Sequence, residues 1–167
     1  MSKPITTSDL LKKYNYLQQV KQYPGNRSVT KNIKTELKRE FPGVKFSVVS
    51  SHPDGSVRIN VRWADGPTHK AVEGIVDKYQ EGYFNAMEDT YEYDESEFNR
   101  LFGGVGYVST YRTVSDSHRD RVLNEICLRL GYPKMTWEAA CKFNAGGELL
   151  SHKVNRELHS RYLTPAI

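Results

Sequence analysis

The sequence has little of what marks a disulfide-built, metal-binding or membrane-spanning chain. Its 167 residues hold two cysteines, Cys127 and Cys141, with no CxxC pair and no Cys/His cluster. That excludes a disulfide framework and a zinc-finger-like site, and free thiols suit a reducing compartment. The histidines His52, His69, His118, His152 and His159 form no HExxH pair. His152 and His159 could share a helix face, but two turns apart they cannot hold one metal without other ligands. No stretch approaches the roughly 18 apolar residues a membrane span needs. Met1-Ser2-Lys3-Pro4 leads into no apolar segment of a secretory signal. The run Gly103-Gly104-Val105-Gly106 lacks the Gly-Lys-Ser/Thr ending of a phosphate loop and precedes a predicted strand, so it reads as a turn. Cys127 lies on the apolar side of a predicted helix, and Cys141 is also in a helical run. Both read as core thiols. The expectation is a cytoplasmic, non-enzymatic protein of a bacterial host cell, with no cofactor, no metal and no membrane partner.

What is present is charge, unevenly laid out. The net charge of +4 divides into +7 over residues 1–45, −6 over residues 46–100 and +3 over the remainder. This layout has two readings. Both signs can simply be solvated faces, since net charge speaks to association and not to fold. Alternatively, the basic head meets nucleic acid and the acidic waist meets a basic protein.

A helix is predicted from Ser8 to Tyr23, capped by Ser8 or Thr7, with Leu10, Tyr14, Leu17 and Val20 as its stripe and Pro24-Gly25 as its stop. A second runs from about Ser28 to Glu40, with Val29, Ile33 and Leu37 four residues apart. The clearest pattern follows. Val44, Phe46 and Val48 alternate with polar residues, His52-Pro53-Asp54-Gly55 turns the chain, and Val57, Ile59, Val61 and Trp63 alternate with Arg58, Asn60 and Arg62. That is a β-hairpin over 44–63 with one buried face. A third helix carries Val72, Ile75, Val76 and Tyr79. Gly82 to Glu97 shows no clean period and reads as irregular or partly extended. A strand is expected at Tyr107–Thr113, then a helix capped by Ser115-Asp116 and ended by Gly131, a short helix near Thr136–Phe143, and a last helix from about Glu148 to Tyr162. The fold class is therefore α+β, a small antiparallel sheet of three or four strands packed against several helices.

The run Phe41-Pro42-Gly43-Val44-Lys45-Phe46-Ser47-Val48 resembles a domain found in large polyvalent proteins of phages and conjugative elements. So do Trp63-Ala64-Asp65-Gly66-Pro67, Ile75-Val76-Asp77-Lys78-Tyr79, and the stretch from Gly82-Tyr83-Phe84-Asn85 to Tyr91-Glu92-Tyr93. The chain is identified as similar to large polyvalent protein-associated domain twenty-nine, most strongly over residues 41–93. The resemblance implies a mobile-element origin, often beside antirestriction and other counter-defence proteins, and carries no catalytic residues. The chain then reads as one α+β domain: a basic helical head (1–43), a family-like core (44–131) and a helical C-terminal extension (132–167).

Two surfaces are candidates. The acidic aromatic stretch can cover a host defence or nucleic-acid-handling protein, antirestriction or anti-CRISPR in type. Trp63, Tyr83, Phe84, Tyr91 and Tyr93 would anchor it, and Glu88, Asp89, Glu92 and Asp94 would supply a phosphate-like field. Exposure of the aromatics decides it. Alternatively, Lys12, Lys13, Lys21, Arg27, Lys31, Lys34, Lys38 and Arg39, joined by Arg58 and Arg62, bind DNA or RNA directly, with Tyr14, Tyr16 and Tyr23 stacking on bases. The last helix, with Leu149, Leu150, Val154 and Leu158, can pack on its own core or across a homodimer.

Overall fold

The computed structural model describes residues 6–20, 26–52 and 56–164. Helix α1 spans Thr7–Lys13 and begins at a capping box: the Thr6 side chain accepts from the Asp9 N–H, and Asp9 reaches back to Thr6. It stops earlier than its stripe predicts. Asn32, buried in the following helix, accepts from the Gln18 N–H and donates to the Gln18 and Phe102 carbonyls. These bonds hold residue 18 in a form the helical ladder would not allow. Leu10 and Leu17 are still buried, and Tyr14 packs edge-on against Phe98 and Phe102.

Helix α2 spans Asn26–Glu40 and buries Val29, Ile33 and Leu37 completely. Strands β1 (Ser47–Ser51) and β2 (Arg58–Ala64) form the expected antiparallel hairpin. Residues 53–55 of its turn lie outside the described residues. Val48, Ile59, Val61 and Trp63 face inward. Helix α3 (His69–Val76) is capped by Thr68 and closes over the same core through Val72 and Val76.

The unpatterned stretch is partly extended, as expected, but is not part of the main sheet. Strands β3 (Gly82–Asn85) and β4 (Thr90–Tyr93) make a separate two-stranded antiparallel ribbon. Helix α4 (Glu97–Phe102), capped by Ser96, follows it. Strand β5 (Tyr107–Thr113) then pairs with β2 in parallel, giving the order β1-β2-β5. The expectation of an antiparallel sheet thus holds for β1–β2 and fails for β5. The segment between β2 and β5 is long enough to cross over and return in the same direction.

Helix α5 (Asp116–Leu130) runs from the Ser115 cap to Gly131, whose left-handed φ of 72° ends it. Helices α6 (Trp137–Ala140) and α7 (Leu150–Ser160) complete a second hydrophobic cluster with Leu123, Ile126, Leu150 and Val154. Cys127 is buried there, and burial pushes its thiol pKa up. Cys141 is exposed just past α6, so it is not the core thiol its helical run suggests. Among the described residues no helix is long and apolar enough to cross a membrane.

Arg112 joins the two clusters. Its guanidinium donates to the carbonyls of Asp65, Gly66, Leu158 and Arg161, at 2.9–3.0 Å. The end of β2 and the end of α7 are therefore tied to one side chain.

Candidate functional site

Helices α2 and α3 pack on one side of the β1-β2-β5 sheet, and among the described residues Ser47, Val49, Arg58, Arg62 and Tyr111 stand exposed on the other, the open side. The register decides what stands there. Ser47 pairs with Arg62 and Arg62 with Tyr111; Ser51 pairs with Arg58 and Arg58 with Tyr107. Side chains alternate across a strand, so the open face reads Ser47, Val49, Ser51, then Arg58, Asn60, Arg62, then Tyr107, Ser109, Tyr111. None of these nine is acidic. Arg58 lies over the Tyr107 ring at 4.9 Å and Arg62 over the Tyr111 ring at 5.5 Å. The ion pairs among the described residues include neither arginine. A guanidinium drawn to a ring face still has N–H groups to offer a phosphate or carbonyl oxygen.

At one end of this face is a cavity of about 590 Å³, lined by Lys45, Phe46, Ser47, Arg62, Trp63, Ala64, Tyr111 and Thr113. Ala64, on the central strand and in register with Thr113, is too small to fill the space between its neighbours.

At the other end the β3–β4 ribbon meets the sheet. Register places Phe84 opposite Tyr91, with Tyr93 on the same ribbon face. Tyr91 packs edge-on against Tyr107 at 5.0 Å and against Tyr93 at 4.9 Å, and its hydroxyl donates to the Gly106 carbonyl. The aromatic side of the ribbon therefore continues the open face. Gly82 makes this possible, because a Cβ there would stand 2.6 Å from the Tyr91 ring.

The sequence-predicted residues fall in several places. Trp63 is buried, its indole N–H donating to the Pro67 carbonyl, so it is not available as a surface anchor. Tyr91 is half-buried; Tyr83, Phe84 and Tyr93 are exposed. Glu92 accepts from Tyr83 and Asn85 on the ribbon's far side. Those bonds, Tyr83's first, hold its carboxyl below the usual range, and the same contact raises the Tyr83 pKa. Glu88 and Asp89 are exposed at the ribbon's tip, and Asp94 is exposed just beyond β4.

The basic head does not join Arg58 and Arg62. Arg27, Lys31, Lys34 and Lys38 make one exposed stripe along α2, with Arg39 beside it over the Tyr16 ring. But α2 covers the inner side of the sheet, so the stripe and the two arginines stand on opposite sides of the molecule. Lys12 and Lys13 are exposed on α1; Lys21 and Tyr23 lie outside the described residues. Tyr14 is engaged with Phe98 and Phe102, and the Tyr16 hydroxyl donates to Glu36, so neither presents a free ring. Partial burial and the Glu36 charge push the Tyr16 pKa up to about 12.

One cluster that sequence spacing could not show has the composition of a catalytic triad. Nδ1 of buried His118 lies 3.3 Å from Asp65 and 2.9 Å from the Ser115 hydroxyl. A triad needs the carboxylate and the serine on different ring nitrogens. Here both meet the same one, and Nε2 is enclosed without a partner. Asp65 also accepts the Ser115 N–H, so the cluster fastens β2 to the start of α5. Among the described residues no group of three or more His, Cys, Asp or Glu is placed to hold a metal.

No curated protein and no solved structure shows a significant match to this chain. A family model does: the one described as large polyvalent protein associated domain 29 matches residues 25–115. The match runs from α2 through the sheet and ribbon to the cap of α5, and so includes the whole open face. Because it takes in more than half of the 167 residues, the chain belongs to the large polyvalent protein associated domain 29 family, which ties it to the proteins of phages and other mobile elements.

Proposed function

We propose that this chain is a non-enzymatic nucleic-acid-binding protein of mobile elements that uses the open face of its three-stranded sheet. One observation carries the reading: two arginines lie over two tyrosines on a face whose nine described strand residues include no carboxylate. The arginines supply phosphate contacts, and the rings and guanidinium planes supply surfaces for bases.

The test is fluorescence anisotropy of a labelled oligonucleotide over a series of salt concentrations. Affinity should fall steeply with salt. Arg58→Ala/Arg62→Ala should weaken binding roughly ten-fold or more and flatten the salt dependence by about two counterions. Lys31→Ala/Lys34→Ala/Lys38→Ala, on the opposite side, should change it less. If the lysine variant loses binding and the arginine variant keeps it, the site is α2 and this assignment fails.

A second reading rests on a different observation. The ribbon tip presents Met87, exposed over 96% of its surface, beside Glu88 and Asp89. An apolar and acidic projection suits a basic protein surface, as counter-defence by occlusion of a host nucleic-acid-handling protein would require. A partner captured from nuclease-treated lysate, and lost in Met87→Ala/Glu88→Lys/Asp89→Lys, would favour it.

A further inference from the structure

We infer that the ligand of the open face is a single strand, with one unstacked base lodged in the cavity at Ala64; this rests on the nucleic-acid reading above.

Tyr107 and Tyr111 are four residues apart on one extended strand. That separates them by about 13 Å. Bases stacked in a duplex strand are only about 3.4 Å apart and bury their faces against one another. A duplex therefore cannot offer a base face to either Arg–Tyr pair, whereas a strand with splayed bases can offer one to each. The cavity lies beyond Tyr111 along the same line. Tyr111 gives it an aromatic wall, and Lys45 and Arg62 supply cations for the flanking phosphates. Ser47 and Thr113 supply hydroxyls at the edge. An aromatic wall, flanking cations and a few hydroxyls match a planar heterocycle on an anionic backbone. Charge complementarity argues against a cationic protein segment on this face, since its described strand residues include no carboxylate.

The experiment compares a short DNA single strand, the RNA strand of the same sequence and the DNA duplex, by anisotropy at one salt concentration. Ala64→Trp fills the cavity and keeps every cation. Tyr111→Leu removes the stacking ring and keeps apolar bulk. Wild type should bind at least one of the single strands more tightly than the duplex. Each variant should lower single-strand affinity roughly five-fold or more and lower duplex affinity by a smaller factor. A melting curve confirms that each variant is folded, and Tyr111→Leu decides the matter if the tryptophan variant is not. Equal binding of strand and duplex, or single-strand affinity untouched by both folded variants, overturns the single-strand inference while leaving nucleic-acid binding standing. No binding of any of the three overturns both.

Discussion

At the scale of single residues, the fold depends on side chains whose partners are remote in sequence. Arg112 is the plainest. It sits on the inner side of β5, where an apolar residue would be expected, and satisfies four carbonyls from two parts of the chain. Burial lowers its pKa, opposed by nearby Asp65. A planar fork can meet four acceptors at once; an ammonium cannot. Arg112→Met should therefore destabilise the protein by about 2–4 kcal/mol in denaturant titration, and Arg112→Lys should recover little of it. A loss below about 0.5 kcal/mol, the usual range of an exposed substitution, would show that solvent replaces the guanidinium at those carbonyls. Glu36 works similarly, buried and accepting from Lys78 at 2.6 Å and Tyr79 at 2.7 Å. Neither role was legible in the sequence, because charge type is visible there and the partner is not.

At the scale of elements, legibility followed periodicity. The hairpin was readable because Val57 to Trp63 alternates with one face buried. Helix α5 was readable because its cap and its terminal glycine are local signals. The ribbon was not. Its strands are four residues each, both faces are partly exposed, and no alternation marks them. The early end of α1 was equally hidden, since the buried Asn32 that holds the Gln18 backbone out of a helical ladder comes from α2. The ribbon's most specific requirement is Gly82, where a Cβ would stand 2.2 Å from the Glu92 carbonyl oxygen. Gly82→Ala should separate β3 from β4 and release Tyr91 from Tyr107. Amide exchange should then speed up across residues 82–93, while β1, β2 and the core of α5 keep their protection. Unchanged exchange in the ribbon would mean that its pairing tolerates the methyl group.

At the scale of the whole molecule, the candidate surface arises from register more than from composition. Arg58 and Arg62 were readable as a polar strand face. Tyr107 and Tyr111 lay on a predicted strand, but both faces of that strand are mixed, so the sequence did not say which side they take. Parallel pairing with β2 puts them beside the arginines. The same topology puts the α2 lysines on the far side of the sheet, apart from the two arginines that were expected to join the basic head. The family match spans the sheet, the ribbon and α2. It identifies the fold module but does not choose between its two basic sides.

The most direct measurement is therefore positional: backbone amide chemical shifts of the labelled protein, titrated with a short single-stranded oligonucleotide. The account predicts saturable shifts concentrated in β1, β2 and β5, strongest near Arg58, Arg62, Tyr107 and Tyr111, and reaching Ala64. Shifts confined to the exposed stripe of α2, or none at all, would contradict it.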